Sequence, residues 1–401
     1  MFNLETFINQ HVIVRDSSMF YQDVVNNRDE LKKKIKHKSV LVIGGAGTIG
    51  SNFIKALLPF EPNTLVVVDI NENALAELTR DLRSTKGMYV PDDYVPYPMD
   101  FASPVFEKMF KSRKGFDIVG NFSAHKHVRS EKDIYSIEAL LQNNVLHAKK
   151  LLDLLFEYPP EEYFCVSTDK AANPVNIMGA SKRIMEDVIF SYSDRFPVKT
   201  ARFANVAFSN GSLPAGFLTR ISKLQPLSAP SDVRRYFVSP EESGQICLLA
   251  AMLGKNREIF FPKLKEAQMM TFDAIGIELL KAHGYEVLEC SSDTEAIEKA
   301  EALKQGSNLY PVYFSSSDTS GEKSFEEFVT NTETADYNRF SSMGVVTGKE
   351  IPDGERIERL FKDLNSAFQQ EPSKEDVIKI MAEYLPNFEH IETGKSLDSK
   401  M

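Results

Sequence analysis

Cysteine is scarce in this chain of 401 residues. The three present, Cys165, Cys247 and Cys290, are scattered, with no pair at metal-site spacing and no even set to build a disulfide framework. All three are expected to be packing residues in a reducing compartment. An excess of positive charge is also missing: the formal net charge is −10 and the isoelectric point about 5.4. That excludes a broad cationic surface for nucleic acid or anionic lipid, so any phosphate must be held locally. The amino terminus, MFNLETFINQ, lacks the basic flank and apolar run of a signal peptide, and no stretch approaches about eighteen uninterrupted apolar residues. A cytoplasmic protein without membrane insertion is expected. No fixed-period repeat or low-complexity tract occurs.

What is there is an ordinary globular balance, 42% hydrophobic and 26% charged, enough for a sizeable core. Residues 1–38 read as a polar extension packed on the main domain, and the basic cluster LKKKIKHK (31–38) as a solvated helix end or linker. From residue 39 short β-branched runs alternate with segments of helical period. The strands are predicted at 39–43, 64–69, 97–101, 116–122, 163–167 and 199–206, with helices at about 48–58, 72–83, 136–156 and 178–193. This pattern predicts an α/β fold with a doubly wound parallel sheet. The alternation stops near residue 207. The region 207–350, with a helix near 241–253, reads as a smaller substrate lobe over the carboxyl ends of the strands, and 351–401 as a charged, amphipathic helical tail.

GGAGTIG (44–50) follows the first strand and opens a helix, placing Gly44, Gly47 and Gly50 three residues apart. Glycines there let backbone N–H groups approach a pyrophosphate, although a plain tight turn has the same composition. Asp69 ends the second strand 19 positions beyond Gly50, where a carboxylate meets the ribose hydroxyls of an adenosine. Since it repels a 2′-phosphate and no arginine follows in DINENA, NAD is favoured over NADP. A helix N-cap is the plainer role for Asp69, and the two can coexist. Asp100 and Phe101 are candidates for contact with adenine, a turn aspartate being the alternative.

The richest stretch is FCVSTDKAANPVNIMGASKRIMED (164–187), in which Thr168, Asp169 and Lys170 follow a buried strand. Without further context, the acid and the amine would be an exposed turn ion pair. With GGAGTIG, SAHKHV (123–128), STDKAANPVNIMGASKR (167–183), RFANV (202–206), RRYF (234–237) and SGEKSFEE (320–327), however, the chain resembles the extended short-chain dehydrogenase/reductases. Within them it is similar to the UDP-N-acetylglucosamine 4,6-dehydratases of bacterial capsule and glycan synthesis, over residues 39 to about 330. One departure is Met178, four residues before Lys182, where most of that superfamily has tyrosine; a thioether cannot exchange a proton.

The resemblance implies a Rossmann domain over 39–206 with NAD as cofactor. Its contacts would be Gly44, Gly47, Thr48, Ile49, Gly50, Asp69, Asp100, Phe101, Phe122, Ser123, Lys126, Asn144, Lys182 and Val206. Lys126, Asn205 and Arg235 would hold a UDP-sugar. Catalysis would fall to Thr168, Asp169, Lys170, Met178 and Lys182: Thr168 guiding the C4 hydroxyl proton, Lys182 binding the nicotinamide ribose, Lys170 acting as base at C5 and Asp169 as acid at the C6 hydroxyl. SGEKSFEE would close the nucleotide side, or else be a loop and helix cap. A homo-oligomer formed through helices flanking the sheet is a further implication. His125 and His127 read as scaffold, with no third ligand at metal spacing. Alternatives are a dehydratase that inverts C5, a UDP-sugar 4-epimerase, which needs no acid and base at C5 and C6, and a non-catalytic NAD-binding scaffold.

Overall fold

The computed structural model describes residues 2–127, 131–317 and 327–391. Nine strands form the main sheet: β1 (Ser39–Ile43), β2 (Thr64–Asp69), β3 (Asp93–Pro98), β4 (Ile118–Asn121), β5 (Glu162–Val166), β6 (Val198–Ala201), β7 (Glu258–Pro262), β8 (Thr334–Asp336) and β9 (Met343–Thr347). Their order is β8-β9-β7-β6-β5-β4-β1-β2-β3, parallel from β3 to β7, with β9 and β8 antiparallel at one edge. The order reverses beside β1, and a crevice opens there at the carboxyl ends of the strands. Val40–Ile43 and Leu65–Val68 are buried on both faces, which is why these strands read as continuous apolar runs. The fold is the doubly wound Rossmann type.

Two strand boundaries differ from expectation. The third strand ends at Pro98, not residue 101: Asp100 accepts the Ala102 N–H at 2.8 Å and closes a turn. Pro96 and Pro98 are tolerated because β3 is the sheet's edge. The predicted strand 199–206 is broken after Ala201. Asn205–Val206 instead pairs with Phe237–Val238 in a separate ribbon, while Arg202 turns into the core.

The helix expected over 136–156 is three pieces, Ile134–Leu141, a π turn at Gln142–Leu146, and His147–Glu157. The lobe expected over residues 207–350 is narrower than that span. Its core joins a three-stranded sheet (Leu227–Pro230, Glu286–Glu289, Leu309–Ser315) to the helices Leu213–Ser222 and Phe272–Ala282. Helix Pro240–Leu253 and strands β7 to β9 belong to the main sheet layer. That helix is apolar nearly all round and lies against helix Thr48–Leu57, with Gly244 admitting the Asn52 backbone.

Both terminal segments are structural. Phe20, Leu31 and Ile35 enter the core under β1 and β2, while Phe7, Ile8 and Val12 enter the lobe's core, so the extension ties the two together. The tail forms helices Gly354–Phe368 and Lys374–Tyr384, whose Ile357, Leu360, Phe361, Leu364, Val377 and Met381 join the other face's core, together with Ile184, Met185 and Val188 of helix Ile177–Phe190.

Candidate active site

A cleft of about 510 Å³ opens where the sheet order reverses, lined from β1, β2, β5 and the lobe. One wall is the glycine turn. Gly44 has φ +70°, and a Cβ on it would lie 2.6 Å from the Ser123 nitrogen; one on Gly50 would lie 2.4 Å from the Gly44 oxygen. Gly47 caps helix Thr48–Leu57 without any side-chain acceptor, so the first-turn N–H groups face a cradle that a larger residue would fill. Gly47, Thr48, Ile49 and Gly50 all line the cleft. Asp69 lines it too, its two oxygens accepting the Ala46 and Asn71 N–H groups, each at 3.0 Å. The N-cap alternative for Asp69 is filled instead by Asn71, which accepts the Ala74 N–H.

The opposite wall carries the reactive groups. β5 ends at Val166, and Thr168, still extended, caps a single 3₁₀ turn, Asp169–Ala171. One oxygen of Asp169 accepts from the Thr168 hydroxyl at 2.8 Å, the Lys170 N–H at 2.9 Å and the Lys170 Nζ at 3.2 Å. Thr168 and Lys170 face the cleft, whereas Asp169 is buried directly behind them. Gly179 makes this packing possible, because a Cβ there would lie 2.6 Å from the Lys170 carbonyl oxygen. Helix Ile177–Phe190 then presents Met178 and Lys182 on one face, into the same cleft. Lys182 donates to the Val166 carbonyl at 3.1 Å. Burial pushes its pKa down, and Cys165 and Glu186 offset this only in part.

At the mouth, Lys126 donates to the Asn210 carbonyl at 2.8 Å and Thr48 accepts the Asn210 N–H at 3.0 Å, bridging the two walls. Although its side chain reaches solvent, the surrounding protein lowers the Lys126 pKa. Phe122, Asn205 and Val206 complete the lining.

Several expected contacts stand back from the cleft. Asn144 sits on the π turn with its carboxamide engaged by the His125 main chain (2.9 and 3.0 Å) and Ser181 (3.1 Å), so it positions the segment before Lys126 instead of lining the wall. Ser123 bonds to Asn121 and supports the glycine turn. Asp100 closes its turn at the surface, and Phe101 is buried in the core. Arg235 is buried on a short strand paired with Met270 and donates to the Arg234 carbonyl. Of SGEKSFEE, residues 320–326 lie outside the described residues; Glu327 accepts from Asn173 at 2.9 Å. Among the described residues no group of three or more His, Cys, Asp or Glu could hold a metal.

Ser167, Glu131 and the start of helix Leu213–Ser222 were not expected at this site. Ser167 and Ser212 line the cleft, and Glu131 accepts the Met178 N–H at 2.9 Å. Ser212 followed by Leu213 and Pro214 is a helix-start signature that could have revealed the last of these.

A family model described as polysaccharide biosynthesis protein matches residues 40–347, which contain the whole cleft. The chain belongs to this family. Among its relatives, a protein of Methanocaldococcus jannaschii named as an uncharacterised membrane protein is 29% identical over 87% of this chain and 96% of its own length. A UDP-N-acetylglucosamine 4,6-dehydratase (inverting) of Campylobacter jejuni is 27% identical over 57% of this chain and 67% of its own. This chain spans only 40% and 38% of two bacterial relatives named for polysaccharide biosynthesis. The solved dTDP-glucose 4,6-dehydratase DesIV of Streptomyces venezuelae, with NAD bound, shares the fold at a TM-score of 0.55 and 18% identity, over 72% of this chain and 88% of that one. Among the described residues no helix is long and apolar enough to cross a membrane.

Proposed function

We propose that this chain holds NAD and removes water from a UDP-linked hexose, converting UDP-N-acetylglucosamine to its 4-keto-6-deoxy form in surface-glycan synthesis. The observation that carries this reading is the joining of Thr168, Asp169 and Lys170 through one carboxylate oxygen at the cleft wall, opposite the glycine turn. The open cradle at Gly47 and the carboxylate of Asp69 suit a pyrophosphate and a ribose without a 2′-phosphate. NAD, when bound, would supply a hydride acceptor for C4 and a hydride donor for C6.

The remaining work falls to side chains. Lys182, buried and short of counter-charge, would hold the nicotinamide ribose. Thr168 presents its hydroxyl to pass the C4 hydroxyl proton on to the Asp169 carboxylate it is bonded to, a role in which Met178 cannot serve. With C4 a ketone, the C5 proton becomes acidic. Lys170 would take it while Asp169, buried behind the wall, protonates the departing C6 hydroxyl by way of the Thr168 hydroxyl bonded to it; Lys170 then returns its proton to C5. The pair must enter elimination with Lys170 neutral and one proton on Asp169, as a coupled unit. Lys126 and Asn205 stand where a diphosphate sugar would lie, with the N-terminus of helix Leu213–Ser222 beside them. The use of a nucleotide sugar and NAD supports a cytoplasmic reading of this activity.

Incubating the protein with UDP-N-acetylglucosamine and following the sugar nucleotide by mass spectrometry tests the reading. Loss of one water is expected. An unchanged mass with a new stereoisomer would make the chain a 4-epimerase, and no reaction with any UDP-hexose would leave an NAD-binding scaffold.

A further inference from the structure

Behind the cleft lies an ionic network that the chemistry above does not use. Arg202 is fully buried and bonded through every guanidinium nitrogen. Nε and Nη2 donate to Glu186 at 2.9 and 2.8 Å, Nη1 and Nη2 to Glu333 at 2.6 and 2.9 Å, and Nη1 also to the Phe328 carbonyl at 2.9 Å. Glu186, equally buried, accepts as well from Arg183 at 3.0 Å and from the Ser167 hydroxyl at 2.7 Å. Glu333 accepts from Lys349 at 2.8 Å and from the Thr330 N–H at 3.0 Å. Burying so many charges is costly, and apolar packing would stabilise at least as well. What such a network adds is fixed geometry, since both carboxylates are held from several directions at once.

Its two ends give that geometry a use. One end is Ser167, on the cleft wall immediately before Thr168, and Glu186 lies one helical turn beyond Lys182. The other is the segment 327–333, which also touches the catalytic loop through Glu327 and Asn173. We infer that Glu186 and Arg202 are positioning residues that set Ser167, and through it Thr168 to Lys170, from the segment 327–333. The kinetic part of this inference rests on the proposed dehydration; the structural part does not.

Two variants test it from opposite ends. Ser167→Ala removes one hydroxyl while leaving Glu186 with both arginines, so no buried charge loses its last partner. Glu333→Gln weakens the far end without touching the cleft. In both, hydrogen exchange at the amides of residues 168–171 should rise about tenfold or more, while thermal unfolding of Ser167→Ala shifts by only a few degrees. Turnover should fall roughly 10- to 100-fold, because a displacement of about 1 Å costs on that order, with KM for the UDP-sugar changed less than about threefold. A role in packing alone would move the unfolding midpoint and leave exchange at 168–171 and the ratio of kcat to KM as they were, and that result would overturn the inference. Raised exchange in Glu333→Gln confined to residues 327–333 would overturn the coupling. Should wild type turn over no UDP-hexose, the proposed function falls, and the exchange measurement alone decides the positioning role.

Discussion

Lys170 and Asp169 are neighbours in the chain but stand differently in the site, one on the cleft wall and one buried behind it. That arrangement makes their roles separable. Lys170→Met and Asp169→Asn should each keep the fold and NAD, since neither touches the glycine turn or Lys182. Product formation should fall by about 10²- to 10⁴-fold, the usual worth of general acid or base assistance. In heavy water, deuterium entry at C5 should vanish in the lysine variant and persist in the asparagine variant, as read by mass spectrometry. Near-normal dehydration by both would reduce the pair to a turn. Asp69 carries a separate expectation: nucleotide extracted from the purified protein should be NAD, and predominantly NADP would overturn the reading of that carboxylate, whose oxygens already face the cleft.

Helix Pro240–Leu253 depends on one glycine. A Cβ at Gly244 would lie 2.2 Å from the Asn52 carbonyl oxygen, which no side-chain adjustment can relieve. Gly244→Ala should cost about 1–3 kcal/mol, measured by chemical denaturation, and because Asn52 belongs to the glycine-turn helix it should weaken NAD binding too; unchanged stability would show that the two helices can part freely. This contact was invisible in the sequence, where residues 241–253 read as part of the lobe. The central parallel strands were legible because burial on both faces writes itself as continuous apolar runs such as VLVI and LVVV, whereas β7, which comes after the alternation stops, was read as part of the lobe. So was the glycine turn, and through its resemblance the 167–183 stretch, because in each the groups that line the cleft stand close together in the chain. Arg202 was not: its partners Glu186 and Glu333 come together only through sheet order, and no local period records a long-range pairing. Asp100 and Phe101 were misplaced for a local reason, the turn that an aspartate imposes after the edge strand.

For the molecule entire, the same network predicts how it fails in acid. Burial alone would raise the Glu333 carboxyl, but Arg202 and Lys349 bring it down to about 2. A carboxylate depressed in the folded state contributes stability above its unfolded value, about 4.3, and that contribution is lost as pH falls from there through 2. Between those limits the thermal midpoint of wild type should drop more steeply with pH than that of Glu333→Gln; parallel slopes would show that Glu333 is not held ionised. The carboxyl-terminal hairpin has a consequence of another kind. Helix Ile177–Phe190 shares its core with residues 354–388, so during synthesis the end of β5 is made well before this support. A ribosome-bound chain therefore carries a bare apolar face until residues 354–388 emerge, a form prone to aggregate or to recruit chaperones. Any activity should therefore switch on only once helix Lys374–Tyr384 has emerged and docked, which makes that docking a late assembly step.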